Sequence, residues 1–159
     1  MKNALLALSL LFYGCLAQAG SMVHVQALLE EKEAPAGVVF EILEGKEGLT
    51  WAIPQVVRYS ELLRQRFPDL SIAVVSHGRE EFALQSKNRE KYPALHQAVL
   101  SLSTEQAIPV HVCGTHAGWF NVNPEDFPDY VDVAPAGPTQ IRDYEALGYR
   151  LVRVERDQD

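Results

Sequence analysis

Two short runs hold most of the side chains in this sequence that could do chemistry: His77-Gly78 and His111-Val112-Cys113-Gly114-Thr115-His116. Cys113 closes an apolar stretch and is followed at once by Gly114 and a segment able to form one helical turn. Backbone N–H groups at the start of a helix, or a nearby imidazolium, stabilise a thiolate over a thiol and make a cysteine nucleophilic. His116 lies three residues downstream, within reach if the turn is helical, and His77 ends another apolar stretch. Cys113, His77 and His116 are therefore the candidate catalytic residues. The alternative is an inert core cysteine, since Cys is among the most buried residue types.

The same residues include metal-ligand types. On a strand, His111 and Cys113 face one way, and with His77 and His116 they would give three imidazoles and one thiol, suited to Zn or Cu. The paired spacings of structural zinc sites are absent, and His111 reads equally as a strand residue with a satisfied ring. No cofactor is expected, with Zn or Cu as the alternative. Gly78, Gly114, Glu44 and Trp119 are candidate binding residues around the thiol. A solvated loop acid is the plainer reading of Glu44, and core or cover that of Trp51 and Trp119. His24 and His96 have no supporting neighbours and read as surface or helix histidines. There is no Gly-x-Ser-x-Gly elbow, no phosphate-cradling glycine motif and no pair of catalytic carboxylates.

Met1-Lys2-Asn3 and the apolar run Ala4 to Leu16 precede Ala17-Gln18-Ala19-Gly20, the pattern of a secretory leader cut after residue 19. The run is short for a bilayer span, which needs about 20 residues. Phe12-Tyr13-Gly14 before Cys15 is a poor match to a lipid-anchor site. Loss of 1–19 removes Cys15, leaving Cys113 as the single cysteine in a compartment where thiols normally pair. Such a thiol must be buried, intermolecular, metal-bound or reactive. The expected location is periplasmic or secreted, with no membrane association after the leader is removed.

Of 159 residues, 47% are hydrophobic and 22% charged, the composition of one globular domain. The net charge of −7 becomes −8 without Lys2, and no basic run offsets it, so nucleic-acid binding is excluded. Residues 20–36, with Glu30-Glu31-Lys32-Glu33, read as an exposed lead-in, and 37–159 as one domain. Five strands are expected at 38–43, 71–76, 109–113, 130–134 and 149–154, the last at a sheet edge because apolar and basic residues alternate. Helices are expected at 51–67, with Pro54 inside the first turn, at 79–105 with a break near Asn88, and at 138–147. This alternation gives a three-layer α/β/α sandwich on a five-stranded, mainly parallel sheet. Ligands in such folds sit beyond the C-terminal ends of the strands, where 44–48, 77–79 and 113–116 all fall.

From about Val38 to Val154 the chain resembles the DsrE/DsrF-like family, with its YchN- and TusD-type sulfur-handling proteins. The resemblance rests on Val38 to Leu43, on Ile72-Ala73-Val74-Val75-Ser76-His77-Gly78, and on Val110-His111-Val112-Cys113-Gly114. It extends through Ala134-Pro135-Ala136-Gly137 to Leu147-Gly148-Tyr149. It implies an α/β/α sandwich assembling into homotrimers or homohexamers. It also implies a strand-end cysteine, here Cys113, that carries a persulfide sulfur between donor and acceptor proteins or small thiols, with His77-Gly78 as the adjoining turn. The expected function is that of an exported sulfur carrier rather than a turnover enzyme. A metal-binding module and a non-catalytic oligomeric binding domain are the alternatives.

Overall fold

A computed structural model describes residues 20–156; the leader reading of 1–19, with Cys15, lies outside the described residues. The elements run α1 (Ser21–Leu29), β1 (Gly37–Ile42), α2 (Gly48–Arg66), β2 (Ile72–Ser76), α3 (Pro93–Thr104), β3 (Val110–Cys113), α4 (Gly114–Trp119), β4 (Asp132–Ala134), α5 (Gly137–Ala146) and β5 (Tyr149–Arg153). Short 3-10 segments at Arg79–Leu84 and Ser86–Asn88 occupy the first part of the β2–β3 connection.

The strands form one sheet in the order β4-β3-β2-β1-β5, and every neighbouring pair is parallel. The expected α/β sandwich and the edge position of the last strand are both met. Period-two alternation sorts each strand between two layers. Val38, Phe40 and Ile42, with Ile72, Val74, Val110, Val112 and Val152, enter the main core, which α1, α2 and α3 cover. Val39, Ala73 and Val75 face the other way, against Ile141 of α5. The chain steps from β1 out to β4 and then returns through α5 to β5 on the far side of β1. That return places α5 on the second face.

Two expectations need correction. Residues 21–29 are not an exposed lead-in but a helix, because Val25 and Leu28, one turn apart, bury against α2 and the sheet. Ser21 Oγ fastens this helix to the end of the domain, donating to Glu155 O (3.1 Å) and accepting Glu155 N–H (2.8 Å). The acidic run that suggested a solvated lead-in begins only where this helix ends. The second helix starts at Gly48 rather than Trp51, so Pro54 lies inside it. A mid-helix Pro costs about 3 kcal/mol, a penalty opposed by the complete burial of Leu49, Ile53, Val56 and Leu63 along one stripe. At the other end of the domain Gly148 closes α5 with φ +87°, the left-handed conformation in which a side chain is disfavoured.

Candidate functional site

Cys113 is the last residue of β3, where it pairs with Ala134 of β4. On its other side Ser76 pairs with Val112, so one further step sets His77 beside Cys113, both on the face that α5 covers. A β carbon built on Gly137 would lie 2.5 Å from His77 Cβ and 3.4 Å from Cys113 Cβ. The first turn of α5 therefore rests directly on the two strand ends, and only a glycine fits there. The thiol is buried, with Cys113 4% exposed.

Cys113 also caps α4. Its Sγ accepts the His116 backbone N–H at 3.4 Å, so an anion on sulfur would face helical amide dipoles. The turn is helical, as expected, but it is the His116 amide that meets the sulfur. The His116 imidazole turns away to Glu81, with Nδ1 to Oε1 at 2.8 Å. Its ring sits among Phe82, Trp119 and Phe120, with centroids 5.3, 5.7 and 5.2 Å away. Trp119 and Phe120 are 74% and 47% exposed, so Trp119 forms part of an apolar rim and is not core.

Glu81, fully buried in the Arg79–Leu84 segment, joins these parts. Its Oε2 accepts the Cys113 backbone N–H at 2.8 Å while Oε1 meets the His116 ring. Burial pushes this carboxyl up to about 7, opposed by the Cys113 amide and by His116. Glu81 thus holds its proton into the neutral range. The adjacent Glu80, equally buried, does a different job. It accepts Ser76 Oγ–H (2.8 Å) and the N–H groups of Gly78 (2.9 Å) and Glu44 (2.8 Å), locking together the loops after β1 and β2. Gly78 leaves room for that carboxylate, since a β carbon there would fall 2.4 Å from Glu80 Oε2. Gly114 passes close to the β4 end, where a β carbon would approach Ala134 O at 3.0 Å. Glu44, half-buried, enters this arrangement through its backbone.

A second carboxylate–imidazole pair lies across the strand ends. His77 Nε2–H donates to Glu41 Oε1 (2.9 Å), and Arg153 Nε–H donates to Glu41 Oε2 (2.7 Å). The His77 hydrogen bond, reinforced by Arg153 against the effect of burial, holds the Glu41 carboxyl below its usual range. A row Arg153–Glu41–His77 therefore crosses from β5 through β1 to β2 and ends beside Cys113.

His111 points to the same face as Cys113 but is spoken for lower down, with Nε2 bonded to Tyr144 Oη at 2.9 Å and Nδ1 3.9 Å from Asp132. Burial lowers its pKa. The three imidazoles His77, His111 and His116 thus turn to three different partners. Among the described residues no group of three or more His, Cys, Asp or Glu is arranged to hold a metal ion. His96 is not a surface histidine. It is buried, with Nε2–H donating to Ala83 O (3.0 Å) and Nδ1 accepting Tyr130 O–H (2.6 Å). Trp51 lies apart from the thiol, under the Arg156 guanidinium 5.4 Å from its ring.

No protein-family model matches the chain, and no curated protein sequence does. Several solved structures resemble it, two of them as follows. The ychN protein from E. coli is 12% identical, with a TM-score of 0.50 over 74% of this chain and 98% of that one. The chain has the YchN fold. A protein of unknown function from Methanobacterium thermoautotrophicum, MTH1491, is 19% identical, with a TM-score of 0.58 over 73% of this chain and 96% of that one. At such identities the likeness establishes architecture, and the YchN architecture is the one that the DsrE/DsrF-like resemblance implies.

The sequence reading missed Glu41, Glu80, Glu81 and Arg153. Two signals were present. Glu41 interrupts an otherwise apolar strand near its C-terminal end, and Glu80-Glu81 comes one residue after His77-Gly78.

Proposed function

We propose that this protein is a sulfur carrier in which Cys113 takes up and passes on a sulfane sulfur. The observation that carries the proposal is the place of the thiol: at a strand end, capping α4, under the first turn of α5 and beside the Glu41-paired His77. Amide dipoles at the start of a helix favour a negative sulfur. In the reaction, the Cys113 thiolate attacks the outer sulfur of a persulfide R–S–SH. A bond forms between Cys113 Sγ and that sulfur, the bond from that sulfur to R–S breaks, and its electron pair leaves with R–S⁻. The product, Cys113–S–SH, is then attacked at its outer sulfur by an acceptor thiolate. The exposed Trp119 and Phe120 offer the donor and acceptor an apolar rim to approach.

The proposal includes export, with a leader cut after residue 19, and assembly into a homotrimer or homohexamer, both following from the sequence resemblance and the leader pattern. Mass spectrometry after exposure to a small persulfide is the test. One added sulfur is expected on the Cys113 peptide and none in Cys113→Ser; a wild-type Cys113 that stays unmodified overturns the reading.

A further inference from the structure

We propose that Glu81 is the positioning residue of the Cys113 thiol, holding the nucleophile's own amide with one carboxyl oxygen and the ring of the residue that caps its sulfur with the other. The inference rests on Cys113 being the reactive group, as proposed above, and adds a residue that touches neither the sulfur nor its cargo.

The geometry makes Glu81 a clamp across the Cys113–His116 turn. Three hydrogen bonds form a closed circuit: Cys113 N–H to Glu81 Oε2, Glu81 Oε1 with His116 Nδ1, and His116 N–H to Cys113 Sγ. The circuit fixes both ends of the turn that presents the sulfur. At the end of β3 the Cys113 amide is bonded to this side chain from another element. Without it a buried N–H is left unsatisfied and free to reorient the strand end. Burying a carboxyl completely is costly, and core packing alone would be met by an apolar residue. The groups facing Glu81 are Glu80 on its own segment, Cys113 at the end of β3 and His116 on α4, with Arg79 turned outward over the Phe120 ring. Burial holds the carboxyl proton into the neutral range, which lets the clamp operate uncharged.

The role separates two substitutions. Glutamine keeps an oxygen for the Cys113 amide and an N–H₂ group for the His116 ring, whereas alanine removes both. The probe is a small methyl thiosulfonate, which the Cys113 thiolate attacks at sulfur to give a methyl disulfide and a sulfinate anion. Its second-order rate constant is measured at neutral pH in the wild type, Glu81→Gln and Glu81→Ala. We expect Glu81→Ala to react about tenfold or more slowly and Glu81→Gln to stay within about threefold of the wild type. An alanine variant as fast as or faster than the wild type overturns the proposal, as does a glutamine variant that falls with it. If Glu81→Ala does not fold, hydrogen exchange in the wild type decides. A Cys113 amide protected like the interior strand amides supports the clamp, and one exchanging like an exposed amide overturns it. The sulfur-carrier reading fails separately, on a wild-type protein that reacts with the thiosulfonate yet takes no sulfur from a persulfide.

Discussion

Replacing Glu81 by glutamine removes a fully buried carboxyl while keeping its shape and its acceptor for the Cys113 amide. The folded protein holds the Glu81 proton up to about pH 7, against the usual 4.5 of a glutamate. Between those values the native state binds more protons than the unfolded chain. The contribution of this group is therefore fully present below pH 4.5 and is lost as pH rises through 7. At 1.36 kcal/mol per unit the loss amounts to about 3 kcal/mol. A glutamine has no proton to lose. The stability of Glu81→Gln minus that of the wild type should thus rise with pH by up to about 3 kcal/mol between pH 4.5 and 8. Burial lowers His96 and His111, whose contribution is lost as pH falls below the usual imidazole range, and Glu41 loses its own as pH falls through the carboxylate range. These groups are common to both proteins and cancel in the difference. Urea unfolding of the pair at pH 5, 6, 7 and 8, followed by circular dichroism, measures it. A difference constant to within about 0.5 kcal/mol across that range would refute the burial argument.

Gly137→Ala should destabilise the fold by about 1–3 kcal/mol, because its β carbon meets His77 Cβ at 2.5 Å with no flexible end to yield. An unchanged urea midpoint would show that α5 can lift off the strand ends. Tyr130→Phe leaves His96 Nδ1 buried without its donor and should cost about 1–3 kcal/mol; thermal unfolding reads it, with a shift near zero as the contrary result. Arg153→Gln should change stability by less than about 1 kcal/mol, since the arginine side chain is 61% exposed and such pairs are weak. A larger loss in chemical denaturation would mean that the Arg153–Glu41–His77 row acts as one unit.

The architecture was readable because β1 and β2 are near-continuous apolar runs between turn residues, as strands covered on both faces must be, while β5 alternates apolar with basic residues as an edge strand does. The helix at 21–29 escaped because its buried face is only Val25 and Leu28, with Ser21 at its start, too few positions to outweigh the acidic residues that follow. The early start of α2 escaped because local rules place Pro54 at a helix entrance, while the burial of Leu49, Ile53, Val56 and Leu63 overrides them. The neighbouring placement of Cys113, His77 and His116 was legible because residue type and strand-end position coincide. What joins them was not legible. Glu81 and Glu41 reach their partners across 32 and 36 residues of chain, and glutamates in an acidic sequence read as surface until the sheet order is known.

The seat of α5 leaves no width for even one more carbon between Gly137 and the His77 side chain, with the Cys113 β carbon alongside. A sulfur carried on Cys113, as proposed, could not be housed in that seam. The helix would then be a backstop to the thiol and not a berth for its cargo.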